Sequence, residues 1–290
     1  MEEATMDSTI IRQRTDTPQD ERIRDKLNRV LSTEWSRVAI DDLRGELTDF
    51  FTFSLSNPDN TKEITARHAG LVPRLAEISR SHISSGEENL QKVRQDKAVL
   101  VLTNHFGIGI LTIIDNKDGK FPVLLPEFAG FPVRLASVSV IARRLNAPLY
   151  ETAVELPPPL SGVQKTCGTI IVPAEGEGRT QKLIDDVSAI VDKQPGAVII
   201  MYPEGGTSGK RNEGGPYDLD TFHKGAFACA AQTGLPILPV CQYFNPETGF
   251  ELHILEPIRL GEEDLGNLDQ IKESTKAAMQ KKLVEVSSNE

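Results

Sequence analysis

The sequence predicts an α/β protein, a mainly parallel sheet flanked by helices and preceded by an N-terminal helical layer. Three observations point there. Up to about residue 95 the apolar residues recur at helical spacing. From about residue 97, short runs rich in β-branched residues alternate with helical stretches. Gly and Pro punctuate the joins. Continuous apolar strands separated by helices imply a sheet covered on both faces.

Residues 1–17 are polar and without pattern, and read as a mobile tail. Thr17 can cap a helix whose first position is Pro18 and whose stripe is Ile23, Leu27, Val30 and Leu31. A second helix is predicted through Trp35, Val38, Leu43, Leu47, Phe50 and Phe51, and a third through Ile64, Leu71, Leu75 and Ile78. Residues 18–95 are therefore expected to form a helical region, and residues 96–290 the α/β domain. Its strands are expected at 98–102, 168–172, 197–201, 237–240 and 251–255. Crossover helices are expected at 181–193 and 222–234, and a closing surface helix at 268–286.

The 290 residues can bury a sizeable core, and 39% hydrophobic with 26% charged residues is ordinary globular usage. The net charge of −10 has the wrong sign for a chain that neutralises phosphate backbones, so no nucleic-acid partner is expected. A local basic or apolar patch can still make a peripheral membrane contact. No run approaches the roughly 18 apolar residues of a membrane span, and the first residues lack a signal-peptide pattern. Cys167, Cys229 and Cys241 are odd in number and lack CxxC spacing, which suggests neither a disulfide framework nor a zinc site. A cytoplasmic location is expected.

In open α/β sheets the site lies beyond the carboxyl ends of the strands. After the first run comes Thr103-Asn104-His105-Phe106-Gly107. Thr103 or Asn104 can cap a following helix, leaving His105 in its first turn beside backbone N–H donors, where neutral imidazole is favoured and can act as a general base. A histidine there can equally pack or cap. After the third run comes Tyr202-Pro203-Glu204-Gly205-Gly206-Thr207-Ser208. Its glycines let backbone approach a ligand, and Glu204 is placed to accept a hydroxyl or orient a histidine; a tight turn with a solvated Glu is the plainer reading.

Together these segments resemble the glycerolipid acyltransferase superfamily over residues 97–260. Asn104-His105-Phe106-Gly107 is similar to the block whose histidine deprotonates the acceptor hydroxyl. Tyr202 to Ser208 is similar to the Phe-Pro-Glu-Gly-Thr-Arg-Ser block. Phe222-His223-Lys224-Gly225 followed by Leu235-Pro236-Ile237-Leu238-Pro239-Val240 resembles the family's helix and proline-framed strand. The resemblance implies a glycerol-3-phosphate acyltransferase-like fold, with Asn104, Gly107, Tyr202, Gly205, Gly206, Thr207, Ser208, His223 and Lys224 lining the substrate site. It implies an acyl-thioester donor, acyl-CoA or acyl carrier protein, a small-molecule acceptor, and no metal or redox cofactor.

Two departures bear on the chemistry. The family's acidic residue five positions after the histidine is Ile110 here, and Asp115 lies too far along a continuous helix to replace it. The family's two phosphate-binding arginines fall at Ala174 and Thr207, and small side chains cannot imitate a guanidinium fork, although Arg179, Lys210 and Arg211 lie near in sequence. The expected acceptor is therefore not a glycerol phosphate. The sequence reads as an acyltransferase-like enzyme with His105 as base and Glu204 orienting it or binding acceptor. Its rivals are a non-catalytic relative that binds an acyl chain or other apolar ligand, and a pocket reused for hydrolysis or cyclisation.

The remaining features have plainer readings. Pro157-Pro158-Pro159 reads as a stiff loop, and Gly176-Glu177-Gly178-Arg179 as a surface turn or part of the site lining. His68, His82 and His253 read as structural or surface residues. The cysteines read as core, with a minor alternative in which Cys167 faces the pocket as a nucleophile.

Overall fold

The computed structural model describes residues 33–105, 108–116, 119–127, 133–156, 158–173, 176–206, 208 and 217–288. The expected tail, the helix from Pro18, and Gly107, Ala174, Thr207, Lys210 and Arg211 lie outside them.

Helices α1 (Glu34–Ser56) and α2 (Thr61–Ile78) form where the apolar spacing predicts. Leu43, Leu47, Phe50 and Phe51 on α1 are buried, as are Ile64, Leu71 and Leu75 on α2. The Glu63 N–H donates to Asn60 Oδ1 at 3.3 Å, which caps α2. The helical run ends at residue 78, short of the expected 95. Strand β1 (His82–Ser85) follows and joins the sheet. Next comes a short 3-10 turn (Glu87–Lys92), which starts at Gly86 with φ 78°; a Cβ there would collide with the Ile254 carbonyl.

Among the described residues five strands run parallel. They are β2 (Ala98–Thr103), β5 (Leu149–Ala153), β6 (Ile170–Ile171), β7 (Ala197–Met201) and β8 (Ile237–Asn245). Strand β9 (Gly249–Ile254) turns back antiparallel on β8 instead of continuing the parallel set, and β1 pairs parallel with it. The sheet order is β1-β9-β8-β2-β7-β5-β6. The run at 168–172 yields only the two-residue strand β6. Gly168, at φ 79°, sits just beyond the end of helix α4 (Leu160–Thr166), whose C-cap is Cys167.

The two-residue period of the strands sorts the core into two layers. Val99, Val101, Val198, Ile200, Leu238 and Val240 pack with α1, α2 and α3 (Val133–Leu145) on one face. Ala98, Leu100, Leu102, Ala197, Ile199 and Ile237 pack with α5 (Arg179–Lys193), α6 (Gly225–Thr233) and α7 (Leu268–Ser287) on the other. Every residue of β2 and β7 is buried, so the central strands read as unbroken apolar runs. No described helix is long and apolar enough to cross a membrane.

The helix expected after His105 is absent. Residues 108–116 and 119–127 form an antiparallel hairpin, β3 (Ile108–Asn116) and β4 (Gly119–Glu127), outside the main sheet. Ile110 and Asp115 lie on β3, where helical spacing from His105 has no meaning.

His68 is buried on α2 beside Phe50, with ring centroids 5.9 Å apart. Burial penalises its charged form and lowers its pKa from 6.5 to about 4. The unfolded chain then takes up the proton first as pH falls, so stability is lost from about pH 6.5 downward. Between pH 7.5 and pH 5 the loss from this residue is expected to be roughly 2 kcal/mol. Urea unfolding at both pH values checks it: His68→Leu should lose less on acidification than wild type by about that amount. Equal losses in the two proteins would refute the assignment.

Candidate functional site

Strands β2 and β7 are neighbours, and their register pairs Leu102 with Met201. Three further residues along each strand bring His105 beside Glu204. These residues, 99 positions apart in sequence, thus meet at the carboxyl edge of the sheet, as expected.

The contact they make is not the one expected. Glu204 is 1% exposed and spends its carboxylate on the protein itself. Its Oε1 accepts the His105 backbone N–H at 3.2 Å and the Ser208 hydroxyl at 2.6 Å, and its Oε2 accepts the Asp220 N–H at 2.7 Å. Glu204 makes no hydrogen bond to the imidazole. It ties three chain segments together, and both of its oxygens are engaged by the protein. Desolvation raises its pKa; the bonds from Ser208, Asp220 and His105 oppose that rise, and the nearby Asp220 charge adds to it.

Ser208, fully buried, completes the clasp. Its Oγ also receives the His105 N–H at 3.1 Å, and its N–H donates to the His105 carbonyl at 2.9 Å. The His105 N–H is therefore committed inward and is not an oxyanion donor. The half-buried imidazole stands edge-on to Tyr202, with centroids 5.3 Å apart and planes at 60°.

Asn104 is structural rather than substrate-facing. It is fully buried, and its side-chain amide brackets one residue of β8: Nδ2 donates to the Gln242 carbonyl at 3.0 Å and Oδ1 accepts the Gln242 N–H at 2.7 Å. The Ser137 hydroxyl on α3 donates to Gln242 Oε1 at 3.1 Å. The end of β2 is thus held from β7 through Glu204 and from β8 through Asn104.

Gly205 turns at φ 61°, and its N–H closes the turn onto the Tyr202 carbonyl at 3.1 Å. Gly205 is exposed and Gly206 half-buried beside His105, a surface backbone can share with a ligand. The exposed His223 is held to the same loop, its N–H donating to the Pro203 carbonyl at 2.7 Å. Lys224 is exposed and pairs with Asp269 at 2.6 Å.

Cys167 packs against the core, and burial pushes its thiol to about 12, as it does for Cys229 and Cys241, so no cysteine is poised as a nucleophile. Gly176, Glu177, Gly178 and Arg179 form an exposed turn at the start of α5. Among the described residues no cluster of His, Cys, Asp or Glu could hold a metal.

Sequence reasoning missed Glu151, Asp220 and Gln242. Glu151 is 2% exposed in mid-strand on β5 and accepts the Tyr202 hydroxyl at 2.8 Å. A carboxylate inside Leu149-Tyr150-Glu151-Thr152-Ala153 was the available signal, since a charge is rarely buried without a partner.

Residues 138–243 match the model of the Acyltransferase family. Over that stretch the chain is similar to acyltransferases. The match spans β5 to most of β8, including the Glu204 loop and α6; the His105 block precedes it and is joined to it by the β2/β7 pairing. No curated protein matches the chain.

Proposed function

We propose that this protein moves an acyl group from a thioester, acyl-CoA or acyl carrier protein, to a hydroxyl or amine of an acceptor that is not a glycerol phosphate. The observation that carries this reading is the clasp around His105. Two buried side chains, Glu204 and Ser208, are spent on fixing one partly buried residue at the sheet edge beside a glycine turn. A binding pocket for an apolar chain has no use for a histidine held this way.

In the proposed reaction His105 takes the proton of the acceptor hydroxyl or amine as that atom attacks the thioester carbonyl carbon. The tetrahedral adduct collapses with cleavage of the C–S bond, and the imidazolium returns its proton to the departing sulfur. The products are acylated acceptor and free thiol. Small residues at Ala174 and Thr207 leave an acceptor phosphate without a guanidinium partner there. With its free cysteines, the protein is proposed to work in the cytoplasm, or on its membrane surfaces.

Ile110 in place of the family's acid favours a second reading, a non-catalytic relative that binds acyl ligands. Thiol release from acyl-thioesters, measured over a panel of hydroxyl and amine acceptors, separates the two. Turnover is expected with some acceptor and not with glycerol 3-phosphate, and Ile110→Asp alone is not expected to create glycerol phosphate acylation. Strong wild-type activity on glycerol phosphates would overturn the acceptor assignment. Donor binding without turnover on any acceptor would establish the binding reading.

A further inference from the structure

With a strand at 108–116, position 110 is neither acidic nor one helical turn from His105. Glu204 holds His105 by its backbone N–H. Against the ring itself stands Tyr202, edge-on at 5.3 Å. Tyr202 has a fixed far end: its hydroxyl donates to Glu151 Oε1 at 2.8 Å, and Glu151 is buried on β5, next to β7 in the sheet. Glu151 pairs in register with Ile200, two residues before Tyr202, so both side chains project from the same face of the sheet. A strand-borne carboxylate thereby pins a phenol, and the phenol ring forms a wall for the imidazole.

We infer that Tyr202, tethered by Glu151, is a positioning residue that helps fix the orientation of the His105 ring. The inference rests on the reading of His105 as the base, and it concerns an arrangement that can be tested without turnover. A phenylalanine at 202 would keep the ring, and most of the packing, while losing the tether. Rings fixed only by packing keep rotational freedom that a hydrogen bond to a buried carboxylate removes, and small errors in placing a base cost rate steeply.

The test has two arms. In the first, relaxation of the His105 Cε1–Hε1 vector, assigned by its loss in His105→Asn, is compared between wild type and Tyr202→Phe. The order parameter is expected to fall in Tyr202→Phe; an unchanged value overturns the tether whether or not the protein is an acyltransferase. In the second arm, kcat with the best acceptor is expected to fall about ten- to hundredfold in Tyr202→Phe with little change in KM. Glu151→Leu should behave likewise, and Glu151→Gln, which still accepts the phenol proton, should recover most of the rate. Tyr202→Phe leaves a buried carboxylate without its partner phenol, so the double variant Tyr202→Phe/Glu151→Met is included. Recovery of stability with kcat still low supports positioning. Recovery of both would show that the tether serves only the fold. Absence of wild-type turnover with every acceptor refutes the acyl-transfer reading alone and leaves the first arm decisive.

Discussion

Glu204→Ala is expected to be the most damaging single change near the site, for the fold and for the reaction together. It removes the acceptor for three donors. The His105 N–H keeps Ser208 Oγ, but the Ser208 hydroxyl and the Asp220 N–H lose their partner in a dry interior. At about 1–3 kcal/mol for each stranded donor, the loss is expected to be roughly 2–6 kcal/mol. Because the same clasp fixes the base, kcat should fall by about 10² as well. Glu204→Gln should lose less. Its amide oxygen can still serve two donors and it carries no charge to desolvate, yet its NH2 then faces the remaining donor. Ser208→Ala, which spares both backbone bonds to Glu204, should lose least. Urea unfolding of the three variants beside wild type checks the order; a Glu204→Ala protein of wild-type stability would show that the clasp does not hold the loop.

The fold was legible where burial is complete on both faces. The runs at 98–102 and 197–201 are continuous because β2 and β7 lie in the middle of the sheet, and the structure places strands at Ala98–Thr103 and Ala197–Met201. Strands toward the two ends of the sheet are less legible. Strand β1 is His-Ile-Ser-Ser and β5 contains Tyr150, Glu151 and Thr152, so periodicity had little to detect, and the legible run at 168–172 yields only the two residues of β6. Helix α3 was missed because Val-Arg-Leu-Ala-Ser-Val-Ser-Val-Ile mixes β-branched residues with serines, a poor helix signal that tertiary burial of Leu135, Val138 and Ile141 overrides. The hairpin at 108–127 was misread as helix because Thr103-Asn104 looks like a cap, whereas the Asn104 amide is spent on β8.

The site was legible to the level of which residues meet and no further. Order along the chain and the carboxyl-edge rule sufficed to bring His105 and Glu204 together, since β2 and β7 are adjacent. Which atom of His105 the carboxylate would reach depends on the loop path after each strand, and one-dimensional spacing does not encode it. The Lys224 ion pair was illegible for a related reason: its partner Asp269 is 45 residues on, at the start of α7, which packs on the same layer. Tyr202 did carry a trace, a tyrosine where the resembled block has phenylalanine; its extra oxygen is the atom that bonds Glu151.

His105→Ala is expected to abolish turnover, with kcat down by about 10² to 10⁴, the range of a lost general base, while the protein stays folded. The stability half of this prediction follows from where the residue's bonds lie. The clasp uses the backbone N–H and carbonyl of His105, which alanine retains, so the bonds to Glu204 and Ser208 persist. The loss includes the edge-on contact of a partly buried ring with Tyr202, worth about 1 kcal/mol. The contrast with Glu204→Ala is the discriminating feature: one variant should be inactive and nearly as stable as wild type, the other both slow and unstable. Circular dichroism melts, with single-turnover thiol release at saturating donor, measure both quantities on the same samples. Donor affinity should survive in His105→Ala, because the proposed base acts on the acceptor's proton and not on the thioester. Full activity in a folded His105→Ala protein would remove His105 from the chemistry, and the Glu204–Ser208 clasp would then be a device of the fold alone.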